Sequence, residues 1–554
     1  MESDTQPALE AGVAERARQE PPRRDAAVRR ERLLRAGLNI LLTAMVTLAV
    51  LQCILFTLDI LGAPYTGYDF SIYYAAAVAL RENVHANIFD LHLLQAVALA
   101  HGAPKPAAIY TYPPLLAILL IPLTFFSYHV ALGIWTLLNL IAWIFCAALL
   151  TAWLRRVLAA GVTSFSVAHT SGDALPASLS PTRGVLAPRL FTLAIAVFLV
   201  FSYQPIEQTL VLGQVSLFIL FLLVLVPFLA ERNRPYLAGG VLALAVWIKL
   251  FPAILIIYFM LRGRWRVVGG VVAGMALLAL AQVPLIGVDG VLATRHVLDN
   301  GSFQAAQFHN EALARVPLWI AAEFGGHLTP ALTLAGDALV ALVSIISLAL
   351  LVRLRRQRSP RDTQGSLDAA AANRALLGYS WALSAMVLIA PITWEHYDSW
   401  LLPAFIVSLG LAIRAVAAGF RDARGRLRSE MYILAAIIIA YVITMHHLPL
   451  GYDGTTTFAI GPYIGSHPLR PFFMLLRPLA ALLAWICSGA LFLRASLLRD
   501  AAPAGEPLAQ SLSLPFHLPR IVQARVLAGL LFAVCIVQAV FITVISVFGP
   551  AQPR

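Results

Sequence analysis

Charged side chains are scarce in this chain. Of 554 residues only 12% are Asp, Glu, Lys or Arg, while 60% are hydrophobic and the mean hydropathy is +0.80. A soluble protein carries about a quarter charged residues, so an ordinary water-soluble chain is excluded. Cysteine is nearly absent as well: Cys53, Cys146, Cys487 and Cys535 are all there is. Each lies in or beside an apolar run, with no CxxC pair, which excludes a disulfide framework and a thiolate metal site. Acidic residues are outnumbered, 28 against 40 Lys plus Arg, for a net charge of +12. The excess is almost all arginine in short tracts between apolar runs. No soluble basic face is present, so nucleic acid is not an expected partner. No internal repeat of the kind common in secondary transporters is visible.

What the chain has is long apolar runs, at about 37–60, 113–128, 130–153, 190–203, 214–230, 236–260, 265–286, 330–352, 375–393, 399–418, 431–449, 471–493 and 525–548. Roughly twenty such residues cross the ~30 Å hydrocarbon core of a bilayer. The pattern predicts an all-α polytopic membrane protein of about 11–13 transmembrane helices, several too short to span alone. A β-barrel would alternate in short segments instead. Arginine clusters fall at Arg155/Arg156, Arg232/Arg234, Arg262/Arg264/Arg266, Arg353 to Arg361, Arg421 to Arg428 and Arg494/Arg499. Placing them in the cytoplasm puts 61–112, 287–329, 392–398 and 446–470 outside, in a multi-pass protein of the plasma (inner) membrane. Two runs disturb that count. If 113–128 and 130–153 each cross, Arg155 lands outside, and 236–260 lies between two basic loops yet is too short to cross twice. The prolines in "YPPLLAILLIPL" and "IKLFPAIL" predict broken or re-entrant helices there.

The expected organisation is a basic cytoplasmic tail (1–36), a first membrane module (37–286) with a long outer loop (61–112), a second outer loop (287–329), a second membrane module (330–548) and a short tail (549–554). The first run reads as a retained span and not a signal peptide, because no small-residue cleavage site follows it. Within the first outer loop, "SIYYAAAVALREN" and "DLHLLQAVALAHG" read as amphipathic pieces lying in the membrane interface. Residues 157–188 and 500–515 are Ser/Pro/Ala-rich and read as flexible cytoplasmic loops.

Against this background a few polar residues stand out. Asp69, in "YDFSIYYAAAVAL", reads equally as a cap for a helix beginning at Ser71 or as a base beside a membrane cavity. Asp90, before "LHLLQAVAL", reads as a cap. Lys249 sits inside "LALAVWIKLFPAIL", where a lysine near a helix centre costs about 2.5–3.5 kcal/mol. It either snorkels to an interface or meets an anion such as a lipid-linked phosphate. The outer turn "APITWEHYDSWLLP" packs Trp394, Glu395, His396, Tyr397, Asp398 and Trp400 into seven positions. An aromatic belt accounts for the rings, but not for the Glu-His-x-Asp. No second His or Cys lies one turn from His396, so no zinc site is expected there. Gln204, Glu207, Gln208 and Gln214 in one segment, and Gln304, Gln307, His309, Asn310 and Glu311 in another, suit sugar hydroxyls or ordinary loop solvation.

Together the stretches "YDFSIYYAAAVAL", "NIFD", "YTYPPLLAILLIPLTF", "LGQVSLFILFLLVL", "WIKLFPAIL" and "APITWEHYDSWLLP" resemble, in order over about residues 65–405, the membrane glycosyltransferases of family 87 in the GT-C fold class. The loop after residue 286 departs from that pattern: where relatives often show Asn-Gln-Ser, "FHNEAL" keeps only Asn310. The resemblance implies an inverting transferase that takes a hexose such as mannose, or a pentose, from a polyprenyl-phosphate donor. The acceptor is a lipid or glycan hydroxyl on the extracytoplasmic face. It maps the family's catalytic aspartate onto Asp69. The chemistry of the residues themselves makes His396 a second catalytic candidate, and Lys249, Glu207, Gln208, Gln214, Tyr112, Trp394, Glu395 and Asn310 candidates for substrate contacts. No metal or cofactor is expected. The rival readings are a transporter or flippase of lipid-linked sugar, a transferase that modifies protein or lipid A, and a membrane scaffold.

Overall fold

The computed structural model describes residue 47 and residues 67–106, 109–159, 203–297, 310–324, 329–356, 369–417, 429–445 and 470–500. The tail 1–36, the run 37–60 apart from residue 47, the run 525–548, all of 190–203 but residue 203, both Ser/Pro/Ala-rich loops (apart from residues 157–159 and 500), and Gln304, Gln307 and His309 lie outside the described residues. Every described element is helical: α1 (Tyr68–Glu82), α2 (Leu91–Ala100), α3 (Pro114–Leu120), α4 (Tyr128–Ala159), α5 (Gln204–Leu212), α6 (Ser216–Glu231), α7 (Pro235–Ile248), α8 (Ile254–Leu261), α9 (Trp265–Leu292), α10 (Val316–Glu323), α11 (Pro330–Arg356), α12 (Ala369–Ile389), α13 (Leu402–Ala417), α14 (Ser429–Thr444) and α15 (Arg470–Asp500). Four of them, within α4, α9, α11 and α15, are long and apolar enough to cross a membrane by themselves. The remaining apolar helices are short and packed, and the chain is an all-α polytopic membrane protein.

The prolines break the helices where the sequence predicts it. Pro113 and Pro114 open α3, which lasts seven residues before Pro122 helps turn it into a 3-10 segment, Ile121–Phe125. At 1.5 Å per residue the combined piece is about 18 Å long and does not span. Only α4 is long and apolar enough to cross by itself among the described residues of this region, and near its end Arg156 pairs with Glu231 at the foot of α6. The run 236–260 divides likewise. Helix α7 stops at Lys249, whose backbone is extended (φ −151°, ψ 128°), and after a 3-10 turn at Phe251–Ala253 the chain returns as α8. The two halves together form a broken pair, neither of them long enough to cross a membrane by itself.

The molecule has two chemically distinct ends. At one, Arg264 adds its charge at Glu231 beside Arg156, and the Arg262 guanidinium lies 5.8 Å from the Phe492 ring. Arg494 donates to Ser429 there at 2.8 Å. At the other end lie the start of α1, the break at Lys249 and the turn before α13.

Helices α7 and α9 run side by side through glycines. A Cβ on Gly239 would sit 2.2 Å from the Val267 carbonyl oxygen, and one on Gly270 would sit 2.3 Å from that of Tyr236. Small residues allow this backbone approach, as they do between membrane helices generally. Gly239→Val is expected to lower the melting temperature in detergent, since overpacking costs about 1–3 kcal/mol and more against rigid backbone. Gly240→Ala, whose added carbon meets nothing within 4 Å, leaves it unchanged or slightly higher.

The outer-loop helices differ from one another. Helix α2 buries only Leu94 and Ala98, one turn apart, as an amphipathic surface helix does. Helix α1 is enclosed on all sides from Phe70 to Leu80, and so is held inside the protein rather than laid on a surface. Its Ala75–Ala77 run lets neighbours approach closely. Asp90 caps α2 as expected, accepting from His92 N at 2.9 Å and Leu93 N at 3.4 Å.

Candidate active site

Asp69 does not cap a helix at Ser71. Helix α1 starts one residue before it, at Tyr68, with Gly67 as the capping residue (φ +77°). Gly67 is held twice, by its own N–H donating to Val211 O (2.7 Å) and by the Tyr128 hydroxyl donating to its carbonyl (2.7 Å). Any Cβ there would meet that hydroxyl and Leu132 at 2.7 Å, and the left-handed backbone also requires glycine. Asp69 therefore sits in the first turn, where the helix dipole favours a carboxylate, with its side chain turned toward α5 and α6. Gly213 (φ +70°) ends α5 against Phe70, leaving no room for a Cβ, and its carbonyl accepts from Trp135 Nε1 at 2.7 Å. Two glycines thus bring Asp69 and Gln214, 145 positions apart, within hydrogen-bond reach.

Gln214 Nε2 donates to Asp69 Oδ2 at 2.5 Å. Its Oε1 accepts from the hydroxyls of Tyr73 (2.7 Å) and Tyr112 (3.0 Å), themselves 2.8 Å apart. Burial pushes the Asp69 carboxyl up to about 6, with the Gln214 hydrogen bond and the charge of Lys249 opposing. The other carboxylate oxygen, Oδ1, takes no protein donor among the described residues.

Lys249 is buried, and its Nζ has no hydrogen-bond acceptor among the described residues. Aromatic faces surround it: Tyr397 at 3.6 Å, Tyr112 at 5.2 Å and Trp400 at 5.3 Å from Nζ to ring centroid. Cation–π attraction offsets part of the lost hydration. Tyr112 joins the two groups, with its hydroxyl on Gln214 and its ring beside Lys249.

The turn before α13 is a 3-10 helix, Glu395–Leu401, begun at Trp394. Three residues per turn stack side chains at i and i+3, and this sorts its residues into two sets. Tyr397 and Trp400 stack at 4.9 Å on the Lys249 side. His396, whose ring lies 4.7 Å from that of Tyr397, is buried, and its Nε2 has no hydrogen-bond partner among the described residues. Burial, together with the charge of Lys249, pushes its basicity down, so the imidazole is neutral.

Glu395 and Asp398 face the other way, toward Arg477 of α15. That guanidinium is 1% exposed and meets Asp398 Oδ2 (3.2 Å), Gln204 Oε1 (2.7 Å), Glu311 Oε1 (3.5 Å) and Glu395 Oε1 (3.8 Å). Gln204 Nε2 also donates to Glu395 Oε2 at 3.1 Å. Burial raises both Asp398 and Glu311, with the guanidinium opposing and the neighbouring carboxylates adding to the rise. A small cavity borders Glu311, Asp398, Thr393 and Arg477.

Of the sequence candidates, then, Asp69, Gln214, Tyr112, Lys249 and His396 line one connected region. Trp394 begins the turn. Glu395 belongs to the arginine cluster. Asn310 braces two loops, donating to Pro391 O (3.0 Å) and accepting from Thr393 N (2.9 Å) and Ala312 N (3.1 Å). Glu207 is buried and Gln208 half-buried on α5. Sequence reasoning missed Arg477 and the role of Tyr73. A lone arginine in "FFMLLRPLAALL" is the same signal as Lys249; the Tyr73 hydroxyl had no such marker.

The model of glycosyltransferase family 87 matches residues 110–378, an interval that holds Tyr112, Glu207, Gln208, Gln214, Lys249 and Asn310 and is flanked by Asp69 and the 394–400 turn. No curated protein and no solved structure matches the chain. Over these residues, just under half of its length, the chain is similar to glycosyltransferase family 87, and with its apolar helical architecture this supports a membrane glycosyltransferase.

Proposed function

We propose that the protein transfers a sugar from a polyprenyl-phosphate donor to a hydroxyl of a lipid or glycan acceptor by a single inverting displacement. The observation that supports this is the pairing, across Tyr112, of an Asp69 carboxylate oxygen and a buried Lys249 ammonium that among the described residues have no donor and no acceptor respectively. Asp69 Oδ1 takes the proton of the acceptor hydroxyl as that oxygen bonds to the anomeric carbon. The bond from that carbon to the phosphate oxygen breaks, and its electrons leave with the polyprenyl phosphate. Lys249 meets the departing charge, which is where fixed electrostatic stabilisation contributes most. The neutral His396 beside it is a hydrogen-bond donor or acceptor for the same phosphate or for a sugar hydroxyl.

The basic end, with Arg156, Arg232, Arg262 and Arg264, fits the cytoplasm by the positive-inside rule, which puts Asp69 at the extracytoplasmic end. Cysteine labelling from outside is expected to reach positions on the 83–90 connection and not those near Arg232. Release of polyprenyl phosphate on incubation with a panel of polyprenyl-phosphate sugars tests the donor class. Folded protein that releases none, or that moves labelled lipid-linked sugar across vesicles without transfer, overturns the proposal. Because the base works ionised, kcat/KM is expected to rise with pH through a limb near 6 and to fall away in more acidic buffer.

A further inference from the structure

We infer that Tyr73 and Tyr112 are positioning residues that act through Gln214, fixing which oxygen of Asp69 faces the acceptor and keeping that carboxylate ionised. The inference rests on Asp69 being the base, and it deepens that reading. A glutamine side chain presents one acceptor and two donors on opposite sides of a planar amide. Here the carbonyl side is taken by two tyrosine hydroxyls at 2.7 and 3.0 Å, which leaves the NH2 side to meet Asp69 at 2.5 Å.

Turning the amide over would aim its oxygen at the carboxylate, a contact tolerable only if Asp69 carried a proton to donate. It would also aim NH2 at hydroxyls whose own protons then need other acceptors. Tyr73 is fully buried and Tyr112 nearly so, and solvent does not supply them. Tyrosine donors, amide orientation and an ionised Asp69 are therefore one coupled state. The backbone fixes the rest: Gln214 N donates to Thr209 O at 2.8 Å, and Trp135 holds the Gly213 carbonyl. With Oδ2 occupied, only Oδ1 is left for the acceptor proton.

The test is the pH profile of kcat/KM in detergent-purified full-length protein, with folding checked by thermal melt. Tyr73→Phe keeps the ring and removes one donor; the Tyr73→Phe/Tyr112→Phe pair frees the amide, and Gln214→Leu removes it. The acid limb is expected to move upward by about one pH unit in the double variant and in Gln214→Leu, and less in Tyr73→Phe. At neutral pH kcat falls about tenfold in Gln214→Leu while the KM for donor changes little. A role in folding alone predicts activity lost in proportion to folded protein with the limb unmoved, and that result overturns the inference. Asp69→Asn separates the two levels. If it keeps turnover, the base assignment fails and takes this inference with it. If it is inactive while the limb stays put in the three variants, this inference alone fails.

Discussion

Asp69→Asn is expected to lower turnover by about a thousandfold or more while leaving donor binding close to that of the parent protein. General-base catalysis supplies about 10²–10⁴ in rate, and an asparagine keeps the shape of the side chain without its basicity. The Gln214 amide, held by Tyr73 and Tyr112, still has an oxygen to donate to, so the fold around α1 is preserved. Transfer of radiolabelled sugar measures the first effect, and equilibrium binding of a non-transferable donor analogue the second. Asp69→Glu carries the charge on a longer arm into a space fixed by Gly67 and Gly213, and is expected to recover only a small fraction of the rate. Full activity in Asp69→Asn would end the proposed mechanism.

The largest effect on stability is expected from Arg477→Leu. The guanidinium is the sole cation facing Glu311, Glu395 and Asp398 among the described residues, and it is buried with Glu311 and Asp398. Removing one partner of a buried ion pair typically costs about 3–5 kcal/mol, because the remaining charge is left uncompensated. Here the buried Glu311 and Asp398 would lose their counter-charge, and at neutral pH the variant should melt far below the parent. Protonation removes the stranded charge, so the deficit should shrink toward about pH 5, where carboxyls raised by burial are neutral. Arg477→Lys, which keeps the charge and loses the planar fork, is expected to fall between the two. Activity should drop with Arg477→Leu even in the folded fraction, because the same 3-10 turn carries His396, Tyr397 and Trp400. A variant as stable as the parent at all pH values would show that the cluster does not hold this turn.

Much of the architecture was legible before any coordinates. Length and apolarity of the runs gave the all-α membrane class, and prolines at 113, 114, 122 and 252 marked the breaks within 114–125 and 235–261. The principal polar residues were legible for a plain reason: a carboxylate or ammonium amid apolar sequence is costly, and so it stands out. Asp69, Lys249 and His396 were found that way. What the sequence hid was partnership. Gln214 and Glu207 looked alike as polar groups at a helix mouth, yet one grips Asp69 and the other lies buried on α5. Glu395 sits next to His396 in sequence, and the three-residue period of a 3-10 turn points them at different partners. Helix α1 looked amphipathic and proved enclosed, because burial on every side depends on the packing of α3, α4 and α5 around it. The family match begins at residue 110, so the assignment of Asp69 rests on its geometry and on the motif resemblance, not on that interval.

The arginine cluster binds together stretches that would otherwise be exchangeable as blocks. Its cation comes from residue 477, its amide from 204, and its carboxylates from 311, 395 and 398, with contacts spanning up to 273 positions. A hybrid that keeps residues 110–378 and takes its remaining helices from a distant homologue would inherit one side of this electrostatic lock without the key. Functional chimeras should therefore be recoverable only when the junctions leave 204, 311, 395, 398 and 477 from a single parent, whatever the origin of the loops between them.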